Sequence, residues 1–172
     1  MLLHVAEDLA SFIDELKEET DRGLPLVSAS FIDSKLAETI LAFLCDGKSS
    51  HNLVLGNNAP LGTFSARTEA CLALGLIDKI EYDEIQLIRK IRNIFAHHKH
   101  GISFENHKVY SLCSKLQKEV LQNADYFPDD SRSRFINSVV ALALRLYHRP
   151  DWVIKERRHE KTWAKFCIFP DI

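Results

Sequence analysis

A chain of 172 residues, 46% hydrophobic and 27% charged, has the length and composition of one globular domain that buries a core without staples, which excludes a disordered chain. Its net charge of −2 and pI near 6.4 exclude a uniformly basic nucleic-acid binder and confine any such contact to a local patch. No apolar run reaches the ~18–20 residues of a membrane span, the acidic start MLLHVAEDLASFIDEL is no signal peptide, and the scattered Cys45, Cys71, Cys113 and Cys167 suit reduced thiols, so the chain reads as soluble and cytoplasmic.

Helical periodicity runs through nearly the whole chain. Leu9, Phe12, Ile13 and Leu16 form a first apolar stripe, closed by Glu18-Glu19 and the turn residues Asp21 to Gly23. Pro25 suits the start of a second helix, which continues through Phe31, Leu36, Ile40, Leu41 and Leu44 until Asp46-Gly47 stops it. Residues 46–62, with three glycines, Asn57-Asn58 and Pro60, read as the longest loop. Thr63 to Leu74 is a third helix ended by Gly75, and Glu81 to His97 a fourth, with Ile85, Ile88, Ile91 and Phe95 on one face and Gly101 beyond its end. A fifth covers residues 106–122 through Val109, Leu112, Leu116 and Val120. A turn around Pro128 leads to a sixth, 131–148, which buries Phe135, Val139, Leu142 and Leu146. The expectation is all-α, a bundle of about five to six helices over residues 1–149. Residues 150–172 form a basic and aromatic tail, packed on the bundle or beside it.

Several local signals carry little. Asp46-Gly47-Lys48-Ser49 resembles the end of a P-loop, but Ala42 stands where the motif requires glycine and a helix precedes it, so a polar loop is the better reading. Residues 65–92 could be a helix-turn-helix, yet the second helix would present Glu81, Asp83 and Glu84 to phosphates; those carboxylates suit a helix N-terminus on dipole grounds alone. His97, His98, His100 and His107 lack neighbouring Cys and have few carboxylates nearby, so no metal is expected, and no other cofactor. In the tail, KERRHEK mixes signs between Trp152 and Trp163. It reads first as a solvated face and second as an RNA-contacting edge through Arg157 and Arg158.

The stretch LIRKIRNIFAHHKH, residues 87–100, carries the chemistry. Asn93 and His97 are four residues apart and share a helix face. Arg92 and His97 are five apart, about 140° around the axis, so they converge only if the helix loosens near Ala96 or a second copy packs alongside. A neutral imidazole at His97 can take a proton from a ribose 2′-hydroxyl, while Arg92 holds the phosphate and Asn93 positions it. Arg89, His98 and Lys99 would add RNA contacts. Cationic side chains are equally at home at a helix C-terminus, and spacing alone favours that plainer reading.

Two resemblances bear on the choice. IRNIFAHH resembles the Arg-polar-x-x-x-His motif of the HEPN superfamily, all-α domains of which many are metal-independent endoribonucleases in toxin–antitoxin, antiphage and RNA-processing systems. That resemblance implies a homodimer with a composite site, and assigns catalysis to Arg92, Asn93 and His97. Much of residues 12–113, including ETDRGLPLVSASFID, PLGTFSARTEACLALGLID, LIRKIRNIFAHH and ISFEN, is similar to the mannitol-operon repressor (MltR, MtlR) family. This second resemblance covers more of the chain and implies transcriptional regulation. Within its shared segments Glu19, Asp21, Arg22, Ser65 and Arg67 are candidates to support the site, or simply to cap and bridge helices.

The leading expectation is therefore an HEPN-like, metal-independent endoribonuclease that binds RNA, dimerises and meets a regulatory or antitoxin protein. The competing expectation is a non-catalytic regulator of the mannitol-repressor kind that acts by protein association. A third is RNA binding without cleavage.

Overall fold

The computed structural model describes residues 2–56, 58–99, 101–117 and 130–163, with side chains described from Ala10 onward. Among these residues there are eight α-helices, one 3₁₀ turn and no strand. The organising element is α2, Gly23–Phe43, which buries Leu24, Ile32, Leu36 and Ile40 and also Ala29, Ala37 and Ala42. A helix apolar around most of its circumference belongs in the middle of a bundle, and α2 is packed by α4, α5, α7 and α8. Its buried hydroxyls turn inward on the helix itself: Ser28 Oγ donates to Leu24 O and Thr39 Oγ1 to Lys35 O, each at 2.7 Å.

Around it lie α1 (Leu2–Glu18), α3 (Lys48–Val54), α4 (Phe64–Ala73), α5 (Lys79–His97), α6 (His107–Cys113), α7 (Ser131–Tyr147) and α8 (Arg149–Val153), which runs into the 3₁₀ turn Ile154–Glu156. Each boundary has a local cause. Thr63 caps α4 by accepting from the Ala66 amide, and Gly75, at φ +71°, closes it while Leu76 N–H returns to Cys71 O. Asp78 and Glu81 form a reciprocal capping box on α5. Asn106 caps α6 and Asp130 caps α7.

Ile85, Ile88, Ile91 and Phe95 of α5 are fully buried, each a contribution of about 1.5–3 kcal/mol by apolar transfer. Phe95 meets Phe104 at 5.0 Å between ring centres, and Phe104 meets Phe135 at 5.4 Å, which locks the loop after α5 onto α7. Cys71 and Cys113 are buried with no disulfide, and burial pushes both thiols up to about 12.

The sequence expectation needs two additions. Residues 46–62 are not all loop, because Lys48–Val54 is helical and plugs the core with Val54. Past residue 148 the chain also stays helical, and this segment lies against α2. The expected fifth helix is present as His107–Cys113 and a turn to residue 117; its remainder, with Val120, and the turn around Pro128 lie outside the described residues, as do Asn57, His100 and Cys167.

Candidate functional site

Three helices enclose a groove of about 420 Å³. Helix α2 contributes Leu26, Ala29, Ser30 and Asp33, spaced to share one face, and α4 contributes its opening residues Thr63, Phe64 and Ser65. Helix α5 contributes Arg89, Arg92 and Asn93, again one face, beside the buried isoleucine stripe. Arg92 Nη1 donates to Asn93 Oδ1 at 3.0 Å. Arg89 donates through Nε and Nη2 to Gln86 Oε1 at 3.1 and 2.8 Å. Gln86 and Tyr82 both donate to Glu69 Oε1, at 3.2 and 2.7 Å, so α4 and α5 are tied beside the groove. The Glu69 carboxylate, as acceptor, holds the Tyr82 hydroxyl above its ordinary pKa.

Arg67 lies behind this face. Its guanidinium donates to Asp33 Oδ2 at 2.8 Å, Leu61 O at 2.9 Å and Val54 O at 3.0 Å. It therefore fastens the α3–α4 connection to α2 and leaves Asp33 Oδ1 buried without a hydrogen bond. Ser65 lines the groove itself. The other supporting candidates sit elsewhere: Asp21 Oδ1 accepts from Arg132 Nε at 3.2 Å, and the Glu19 carbonyl accepts from Arg132 Nη2 at 2.5 Å. They join the α1–α2 turn to α7, while Arg22 is exposed at the cap position of α2.

Arg92 and Asn93 are thus brought together in the groove, and His97 is not. Helix α5 stays regular through its last residue, His97, whose side chain is exposed and does not line the groove. The loosening near Ala96 that would swing Arg92 and His97 together does not occur. His98 is the C-cap, its amide bonded to Ile94 O, and Lys99 is exposed beyond it. Arg157 and Arg158 line a separate groove of about 500 Å³ with Lys48 and His159, where Arg157 Nε reaches Ala42 O and the Arg158 amide reaches Phe43 O. The five residues expected to contact RNA fall in three places.

Sequence reasoning did not single out Asp33, Gln86, Arg132 or Arg149. Asp33 had one available signal, a carboxylate that follows the apolar pair Phe31-Ile32 on a largely apolar helix. The carboxylates set against the helix-turn-helix are largely consumed internally. Glu81 is 2% exposed and takes Arg149, Glu84 takes Ser138 Oγ and the Gln117 amide, and Asp83 pairs with Lys79.

Comparison with known proteins assigns the chain on independent grounds. The family model described as mannitol repressor (MtlR) matches residues 48–157, which run from α3 to the end of the 3₁₀ turn. Among solved structures, the chain is similar to one from Escherichia coli described as the X-ray structure of the MtlR–HPr complex. The TM-score is 0.57 at 18% identity, with 85% of this chain and 98% of that one covered. Among curated proteins no sequence match is found.

These matches overturn the leading expectation of an endoribonuclease in a toxin–antitoxin or antiphage setting: the family is that of a repressor, and the fold is shared with one. The short segment that carried the endoribonuclease reading has a spacing that an ordinary helix end also satisfies.

Proposed function

The chain belongs to the mannitol repressor family, and from that premise we propose that it is a transcriptional regulator of that kind, which acts by associating with another protein and not by catalysis. The observation that carries this reading is the family match, which spans α3 through the 3₁₀ turn and so includes the α4 and α5 walls of the groove. A partner of the HPr kind is supported by the shared fold with the MtlR of an MtlR–HPr complex.

The α4–α5 hairpin supports action through a partner over direct reading of DNA. A recognition helix presents its first turns to the major groove, where cationic side chains are rewarded. Here the first turns of α5 hold Glu81 and Glu84, turned inward onto Arg149 and Ser138, and Asp83, exposed and paired with Lys79.

The test is a reporter driven by a mannitol-operon promoter in cells that lack their own repressor of this family. Expression of the chain lowers reporter output if the reading holds. Unchanged output from folded, expressed chain would refute it.

A further inference from the structure

Arg89 and Arg92 line the same groove, and their hydrogen-bond partners are neutral amide oxygens, those of Gln86 and Asn93. Neither guanidinium has a carboxylate partner among the described residues, and both are half-buried. The one carboxylate in the lining, Asp33, is already neutralised by Arg67. The groove therefore keeps two forked cations that no carboxylate among the described residues pairs directly.

The opposite wall adds donors of the same sense. Helix α4 begins in the groove, where Thr63 Oγ1 caps the Ala66 amide and Thr63 O takes the Arg67 amide. The amides of Phe64 and Ser65 are left as the opening donors that no intrahelical carbonyl can satisfy. Two further groups suit hydroxyls, Ser30 and Ser65, both in the lining.

We infer that the groove between α2, α4 and α5 binds a small hydroxylated oxyanion, a phosphate monoester or a carboxylate, clamped by Arg89 and Arg92 against the start of α4. Forked guanidinium groups suit either oxyanion, and the volume of about 420 Å³ is that of a small-molecule site and not of an extended polymer track. The inference does not depend on the regulatory reading, because the site is complete in one chain.

The experiment titrates the full chain with glycerol 3-phosphate, inorganic phosphate and citrate at matched ionic strength, with glycerol as the neutral control, and follows backbone amide resonances. Saturable shifts at Phe64 and Ser65 are expected with glycerol 3-phosphate or citrate and none with glycerol. Which of the two binds separates the phosphate from the carboxylate source. Shifts from inorganic phosphate alone would overturn the hydroxylated ligand and leave a bare anion site. Arg89→Gln and Arg92→Gln each weaken binding by roughly tenfold or more, whereas His97→Ala leaves it unchanged. If either glutamine variant fails to fold, the wild-type map alone decides. Shifts confined to Lys48, Arg157 and Arg158, or no saturable shift with any anion, would overturn the assignment. So would amides at Phe64 and Ser65 that move only when an HPr protein is added, which would make the groove a protein contact.

Discussion

Arg149 forks onto Glu81 across 68 positions of sequence, Nη2 to Oε1 at 2.6 Å and Nη1 to Oε2 at 3.2 Å, while Nη1 also reaches Leu76 O. Glu81 accepts at the same time from the Asp78 amide, so one buried carboxylate closes the capping box of α5 and anchors α8. Removing one partner strands the other charge in a nearly dry site, which costs about 3–5 kcal/mol. Glu81→Ala and Arg149→Ala should each lose that much in chemical denaturation, and Glu81→Gln with Arg149→Met should lose less than either. Losses under about 1 kcal/mol for the single variants would make the pair no better than a surface bridge.

Arg67 serves three acceptors, Asp33 on α2, Val54 O at the end of α3 and Leu61 O in the α3–α4 connection. A lysine keeps the charge but lacks the planar fork, so Arg67→Lys leaves buried carbonyls unpaired at a cost of about 2 kcal/mol or more. Hydrogen exchange should accelerate across residues 53–62 while α7 keeps its protection. Unchanged exchange there would show that the guanidinium is not the fastening.

Asp130 caps α7, and its carboxyl titrates below the ordinary carboxylate value. Burial alone would raise it, but the bonds it accepts from the Ser133 amide and hydroxyl, with the Arg132 and Asp130 amides, outweigh that. A lowered folded-state pKa gives stability that is present above the unfolded value, about 3.9, and lost as pH falls through the folded one. Asp130→Ala should cost about 1 kcal/mol at neutral pH, with the difference from wild type closing in the acid limb below pH ~4. A gap that persists once the carboxyl is protonated would contradict the capping account.

Two residues of α5, two positions apart, should behave oppositely. Phe95 is fully buried against Phe104, so Phe95→Ala costs about 3–5 kcal/mol. His97 is exposed at the helix end, so His97→Ala stays within about 0.5 kcal/mol. RNA incubated with either the wild type or His97→Ala in EDTA should remain intact. Cleavage that requires His97 would restore the catalytic reading.

Much of the bundle is legible in the sequence because its helices carry their own punctuation. Gly75 closes α4 as expected, and the isoleucine stripe of α5 is buried as its spacing predicts, while α5 starts two residues before the expected Glu81 and ends at the His98 cap ahead of Gly101. Helix α3 is hidden because it has only seven residues between turn formers, and α8 because five residues containing Pro150 show no period. The groove was half visible: the arginine pattern on α5 can be read from spacing, but Asp33 and the start of α4 join it only through packing around α2. His97 stays outside the groove because α5 remains regular to its end, which keeps the roughly 140° that the spacing sets between it and Arg92.

Regulation through protein association is tested most directly by a calorimetric titration of the purified chain with HPr from the same organism, paired with light scattering of the mixture. Saturable heat and a species at the summed mass are expected. Absence of heat, with the two proteins eluting at their separate masses, would contradict it.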